Sequence, residues 1–279
     1  EMAIEAAGDR AIENVKFEQP MRLSGRTAVQ TVVKKSTDDS QRQTMEVFAR
    51  AADHQNWIRH FTCELVACDR PRPDPIDLQA AAATLSQRES PASFYEKLSE
   101  LGLGYGPAFQ CIEHLKFSEE AVQSELTLAG DVRGYNAPPT MLDAALHSLA
   151  VGLLRSDDDH LFLPVGIGRV TFFAPLETEA ICHATWTQNE GKQRSADLTI
   201  MSKSGAVLMV MEQLTVQQVS LSALRQMSGA GAERLIYDLQ WEPTRLPAAD
   251  LAPRRWLLVG SEESGEPLSP IRDRLLKQN

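Results

Sequence analysis

Apolar and polar positions alternate along the first part of the chain in runs that polar turns separate. Asn14–Leu23 carries Val15, Phe17, Met21 and Leu23, with Pro20 marking an edge or a bulge. In Thr27–Lys35, Val29, Thr31 and Val33 alternate with Gln30, Val32 and Lys34, the period of two that belongs to a strand. Thr44–Ala52 and Trp57–Ala67 read as two more strands joined by the polar turn Asp53-His54-Gln55-Asn56. Ahead of them all, Glu1–Gly8 reads as the last turns of a helix, with Gly8 as its stop.

Asp69-Arg70-Pro71-Arg72-Pro73-Asp74-Pro75 breaks the pattern, because its prolines forbid regular helix. Ile76–Ser86 has room for a short helix, and residues 69–90 together read as a linker. Pro91–Leu101 then forms a helix with Phe94, Leu98 and Leu101 on one side, ended by Gly102. The theme now repeats. Gln110–Phe117 and Val122–Leu128 are strands, and Met141–Leu154 is a helix with Leu142, Leu146, Leu149 and Leu153 on one face. The strands Leu161–Phe173, Ala180–Gln188, Ser195–Ser202 and Val207–Val219 follow. Turns fall at Asn189-Glu190-Gly191 and Ser204-Gly205. A helix and then long antiparallel strands, twice over, make an α+β class.

Past Ser220 the character changes. Leu235–Pro243 reads as a lone strand. Trp256-Leu257-Leu258-Val259-Gly260 is a continuous apolar run of the kind a buried parallel strand shows. Gly260 and Gly265 do not form a GxGxxG arrangement, so no nucleotide site is read there.

Composition narrows the functional classes. The formal net charge is −10 and the basic residues are scattered, whereas nucleic-acid binding calls for a concentrated basic surface. No apolar run approaches the roughly 20 residues that span a bilayer. Cys63, Cys68, Cys111 and Cys182 form no CxxC pair and read as reduced thiols, which points to a cytoplasmic setting with no structural zinc.

Two stretches carry the chemistry: Tyr105-Gly106-Pro107-Ala108-Phe109-Gln110, and Met141-Leu142-Asp143-Ala144-Ala145-Leu146-His147. The second plants one carboxylate in an apolar helix and a histidine one turn later. Burying a carboxylate favours its protonated form, which prepares a general acid. His147 lies at i+4 from Asp143 and so shares its helix face. Thr140-Met141-Leu142-Asp143 also fits a capping box, in which Asp143 would reach back to the Thr140 backbone. Tyr105-Gly106-Pro107 is a tight turn that either presents a phenol to a cavity or holds a core tyrosine. Asp157-Asp158-Asp159-His160 reads as a solvated loop in preference to a metal site.

In order and spacing, these stretches and the flanking Leu163-Pro164-Val165-Gly166-Ile167-Gly168 resemble the YGPxF, LDAALQ/H and LP motifs of the dehydratase domains of modular polyketide synthases. The resemblance runs from about Glu1 to Val219. It implies a double hot-dog, two antiparallel sheets each wrapped on a central helix, followed by an incomplete α/β segment. The corresponding division is 1–68 as a first hot-dog truncated at its start, 69–90 as linker, 91–220 as a second hot-dog carrying the acid, and 221–279 as linker and the opening of a ketoreductase structural subdomain.

The implied reaction is loss of water from a 3-hydroxyacyl thioester carried on the phosphopantetheine arm of an acyl carrier protein. The domain would need no cofactor of its own and no metal. Asp143 would be the acid, with His147 orienting it and binding the leaving hydroxyl. Tyr105, Gly106, Pro107, Phe109, Leu142 and Pro164 would contact substrate, although Pro164 also fits ordinary edge-strand punctuation. The partners would be the carrier protein and the neighbouring acyltransferase and ketoreductase domains, with a homodimer formed through the synthase as an option, and neither nucleic acid nor membrane. The resemblance places the base on the histidine of an HxxxGxxxxP motif, which these residues do not contain. The opening at Glu1 is read as excision from a longer protein, and the fragment alone is expected to be inactive. A double-bond isomerase or cyclase using the same acid, and a non-catalytic scaffold, are the alternatives.

Overall fold

A computed structural model of the chain describes residues 1–21, 26–35, 42–51, 56–128, 130, 134–154 and 160–220. The chain divides into two compact units, Glu1–Leu235 and Ile236–Asn279, and the described residues all belong to the first. The strands expected at Leu235–Pro243 and Trp256–Gly260 lie outside the described residues, as do His54 and the acidic run Asp157–Asp159.

The first helix, α1 (Met2–Ala7), stops at Gly8, whose positive φ of 61° is one that glycine adopts without strain. Four antiparallel strands follow: β1 (Ala11–Phe17), β2 (Thr27–Lys35), β3 (Gln43–Ala51) and β4 (Ile58–Val66). The later part of the described chain supplies β5 (Gln87–Glu89), β6 (Ile112–Phe117), β7 (Ala121–Thr127), β8 (His160–Phe172), β9 (Glu179–Gln188), β10 (Gln193–Met201) and β11 (Val207–Ser220). Helices α2 (Leu78–Ala82), α3 (Pro91–Glu100), α4 (Pro139–Ser148) and α5 (Ala150–Leu153) lie between them.

The two expected sheets are joined edge to edge. All eleven strands form one sheet in the order β2-β3-β4-β1-β8-β11-β10-β9-β7-β6-β5. The seam is the antiparallel pairing of β1 with β8, in which Val15 faces Ile167 and Lys16 faces Gly166. Joining the two there satisfies backbone groups that would otherwise form open edges. On one side of the seam α1 packs on β1, and on the other α4 packs on β6, β7 and β9. This is the double hot-dog arrangement.

The glycines of the Leu163–Gly168 stretch have a structural reason at this seam. A Cβ on Gly166 would stand 2.7 Å from the Val15 carbonyl oxygen, and one on Gly168 would stand 2.5 Å from the Gln213 side chain. Asn14 on β1 and Gln213 on β11 both have positive φ, 51° and 54°, where the flanking ladders shift register.

Helix α3 is capped by Ser90, whose hydroxyl accepts from the Ser93 backbone N–H, and Pro91 occupies its first turn. Its buried face of Phe94, Tyr95 and Leu98 meets the core. Full burial of a side chain such as Phe94 contributes about 1.5–3 kcal/mol. Helix α4 buries Met141, Ala144, Ala145 and Ser148. The helix expected to run unbroken to Leu154 instead turns at Leu149. Ser148 Oγ donates to the Ala144 carbonyl one turn back and meets Ser124 Oγ at 2.6 Å. Such back-bonding by a helical serine bends a helix.

The proline-rich stretch after β4 is extended and straps the sheet across β8 and β11. Asp69 and Arg70 pair with Arg169 and Glu212, at 2.7 and 2.6 Å. Arg72 Nε donates to the Val207 carbonyl, and the Ile76 N–H to the Gly205 carbonyl. Within the segment read as linker, Gln87–Glu89 forms an edge strand on β6. Its three polar residues carry no strand pattern that a sequence would reveal.

Candidate active site

The local sequence of α4 decides how its carboxylate is presented. The helix starts at Pro139 with Pro138 as N-cap, and no side chain caps it there. Asp143 therefore falls in the second turn, beyond reach of a cap. The capping-box alternative does not form. The Asp143 carboxylate turns instead toward His147, with Oδ2 3.2 Å from Nε2. The His147 side chain is only 9% exposed and that of Asp143 is 36% exposed, so the acid is the member of the pair that meets solvent-accessible space. His147 Nδ1 is buried with no hydrogen-bond partner among the described residues.

The Tyr105–Gln110 stretch is a self-closed loop. Gly102, at φ 88°, ends the α3 region, and Pro107–Phe109 forms a single 3-10 turn. The Gln110 side-chain amide donates to the Tyr105 carbonyl at 2.7 Å, closing the loop on itself. The Tyr95 hydroxyl lies between the Phe109 carbonyl and the Ile112 N–H. Held in this way, the Tyr105 ring rests on the His147 ring with centroids 4.0 Å apart, tilted by 58°. Burial, and then the charge of Asp143, keeps the Tyr105 phenol protonated well beyond the ordinary range.

Two cavities meet at the acid. One, of about 230 Å³, lies between α4, α5 and β8, with Leu98, Tyr105, His147, Leu153 and Pro164 in its wall. The other, of about 260 Å³, lies between α1, α4 and the β1–β8 seam, walled by Ile4, Val15, Leu142, Ile167 and Met211. Asp143 and Leu146 border both. A carboxylate thus stands where two apolar spaces adjoin.

The structure brings together Asp143, His147, Tyr105, Leu142 and Pro164. It does not bring Gly106, Pro107 or Phe109 into either cavity wall. Phe109, expected as wall, is 40% exposed, because the 3-10 turn directs it outward while its carbonyl serves Tyr95. Gly106 has an ordinary φ of −70° and open space around it. Several wall residues, Leu146 and His160 among them, fall outside the set that the family motifs assign to the site. Leu146 lies at i+3 from Asp143, a spacing that was available as a signal. His160 opens β8 and lines the cavity of Tyr105 together with the residues that follow it, Phe162 and Pro164 among them. The other described histidines stand elsewhere: His60, His114 and His183 lie on β4, β6 and β9, outside both walls.

Comparison with known proteins adds to this geometry. The family model described as polyketide synthase dehydratase N-terminal domain matches residues 73–226. The phthioceranic/hydroxyphthioceranic acid synthase of Mycobacterium tuberculosis is 26% identical over 275 residues, 93% of this chain. A phenolphthiocerol/phthiocerol polyketide synthase of the same organism is 24% identical over 98% of this chain. The chain spans 13% of the length of each of these relatives. Among solved structures, the dehydratase domain from the CurK module of curacin polyketide synthase superposes with a TM-score of 0.70 at 21% identity, covering 79% of this chain and 82% of that one. The dehydratase domain of a mycocerosic acid synthase-like polyketide synthase gives 0.69 at 20% identity, covering 77% of each chain. These likenesses establish the fold.

Proposed function

Because the chain belongs to the polyketide synthase dehydratase family, we propose that it supplies the acid side of a dehydration, in which a 3-hydroxyacyl thioester loses water to become an enoyl thioester. The observation that carries this reading is Asp143, paired with His147 and standing between two apolar cavities. Elimination needs a proton donor at the β-hydroxyl and a base at the α-carbon. Asp143 is the donor: its proton goes to the departing hydroxyl, the C–O bond breaks, and water leaves. The electron pair of the α-C–H bond becomes the new double bond, and its proton goes to a base that no residue described here is assigned to be. His147 orients the Asp143 carboxyl and helps hold the hydroxyl, and the Tyr105 ring holds His147 in turn.

The substrate arrives on the phosphopantetheine arm of an acyl carrier protein, the one prosthetic group in the proposal. The reaction is redox-neutral and so calls for no nicotinamide. Leu142 and Pro164, on opposite sides of Asp143, are walls against which the acyl chain lies. The domain works in the cytoplasm beside the acyltransferase, ketoreductase and carrier domains of a synthase.

The test is made in the natural polypeptide that contains these residues, with a 3-hydroxyacyl thioester mimic and mass spectrometry for the loss of one water. Asp143→Asn is expected to slow turnover by roughly 10²–10⁴-fold, the usual worth of general acid–base assistance. Turnover by the variant at the parent rate would remove Asp143 from the chemistry.

A further inference from the structure

The helix that bears the acid begins with no cap of its own. Its N-cap is Pro138 and its first residue Pro139, so neither offers a side-chain acceptor or a backbone N–H. The nearest free donors upstream are the N–H groups of Asn136 and Ala137. One carboxylate takes both: Glu1 Oε1 accepts from Asn136 N at 2.9 Å, and Glu1 Oε2 from Ala137 N at 2.8 Å. Glu5, one turn on in α1, accepts from the Asn136 side-chain amide at 2.6 Å. The Asn136 carbonyl is occupied by the Leu176 N–H at 2.8 Å, so this corner is tied from both sides. Ala137 is fully buried.

A carboxylate bridging two consecutive backbone N–H groups makes charge-assisted bonds, roughly twice as strong as neutral ones. Lying ahead of a helix N-terminus, it also complements the helix dipole. It does so from a different helix. Glu1 belongs to the wall of the cavity between α1 and α4, the cavity Asp143 borders. The spacing of the two helices therefore sets both the width of that cavity and the point at which Asp143 enters it.

We infer that Glu1 is a positioning residue of the acid site: by bridging the Asn136 and Ala137 N–H groups, its carboxylate fixes the start of α4 against α1 and so places Asp143 and His147. The inference rests on the dehydratase reading for its effect on turnover, though not for its effect on geometry. A misplacement of about 1 Å at a reacting group can slow a reaction by about a hundredfold, so a loosened helix start should be visible in the rate.

The experiment compares Glu1→Gln and Glu1→Asp with the parent, again in the natural polypeptide. Glutamine keeps the shape but offers one oxygen, and sets an NH₂ group against the second N–H. Three quantities are measured: kcat and KM with the thioester mimic, the position of the His147 ring resonances by NMR, and the fraction folded. Glu1→Gln should lower kcat on the order of ten- to a hundredfold with KM within about twofold, and should displace the His147 resonances while the protein remains folded. Glu1→Asp, which keeps the charge, should recover part of both. Unchanged kcat and unchanged His147 resonances in a folded Glu1→Gln protein would overturn the inference, as would a rate loss that merely tracks the unfolded fraction. If Glu1→Gln fails to fold, Glu5→Gln, which loosens only the Asn136 side chain, must show a smaller displacement in the same direction, and no displacement refutes the clamp. A parent inactive on every thioester tried would refute the dehydratase reading alone, because the His147 resonances still decide the clamp.

Discussion

Oδ2 of Asp143 and Nε2 of His147 stand 3.2 Å apart on consecutive turns of α4, with the histidine buried and the acid open to a cavity. In the proposed mechanism this relationship lets the histidine orient the acid, because it presents a nitrogen to one carboxyl oxygen. A donor at that place should matter more than the ring. His147→Gln, which retains an N–H donor, is expected to keep turnover within several-fold of the parent. His147→Leu, similar in bulk with no donor, should lose at least about tenfold. Steady-state kinetics on the two variants checks this, and equal rates would deny the orienting role.

Much of the fold was legible in the residues. The bounds Thr27–Lys35 match β2, though its alternation buries no face, since Val29 and Val33 are exposed, and the Leu161–Phe173 run matches β8 to within one position. Asp143 and His147 were legible as a pair because both lie on one helix, where i and i+4 must meet. Tyr105 beside that pair was legible only through the family motif, and Glu1 at Ala137 was not legible. Those contacts join residues far apart in the chain, and no local periodicity encodes them. Phe109 was misread because its motif names a residue type without its direction, and the 3-10 turn after Gly106 points it outward.

Glycines of similar appearance should behave differently. Gly205 has a φ of 85°, and a Cβ there would stand 2.2 Å from the Ile76 carbonyl oxygen on the strap. Gly205→Ala should destabilise the protein by about 1–3 kcal/mol in urea titration. Gly106, with ordinary φ and nothing nearby, should accept alanine within about 0.5 kcal/mol. A Gly205→Ala protein as stable as the parent would show that the strap does not lie where it is described.

The thiols should separate by burial. Burial pushes Cys63 and Cys182 up to about 12, which leaves almost no thiolate at neutral pH, and Cys111 is buried too. Cys68 is exposed. Iodoacetamide at neutral pH should label Cys68 in the native protein and the other three only after unfolding, as read by peptide mass spectrometry. Native labelling of Cys182 would place an opening in the core behind α4.

Stability should fall on the acid side partly through His183. Burial of its ring lowers its pKa below the ordinary value of 6.5. Its neutral form is thus favoured in the folded state, and the unfolded chain binds the proton more readily. The contribution is fully present above about pH 6.5 and is lost as pH falls toward the lowered value. His183→Gln should flatten this part of the stability profile, measured by denaturant midpoints between about pH 5 and 7. An unaltered slope would assign the acid loss to other groups.

The most direct measurement of the central claim, that Asp143 handles the β-oxygen, is the reverse reaction in heavy-oxygen water. An enoyl thioester mimic is incubated with the natural polypeptide, and incorporation of the heavy oxygen into the 3-hydroxyacyl product is followed by mass spectrometry. Forming the C–O bond from water requires the carboxylate to accept the proton that it donates in the forward direction. The parent should incorporate the label, and Asp143→Asn, folded to the same extent, should do so slower by roughly 10²-fold or more. Incorporation by Asp143→Asn at the parent rate would contradict the account.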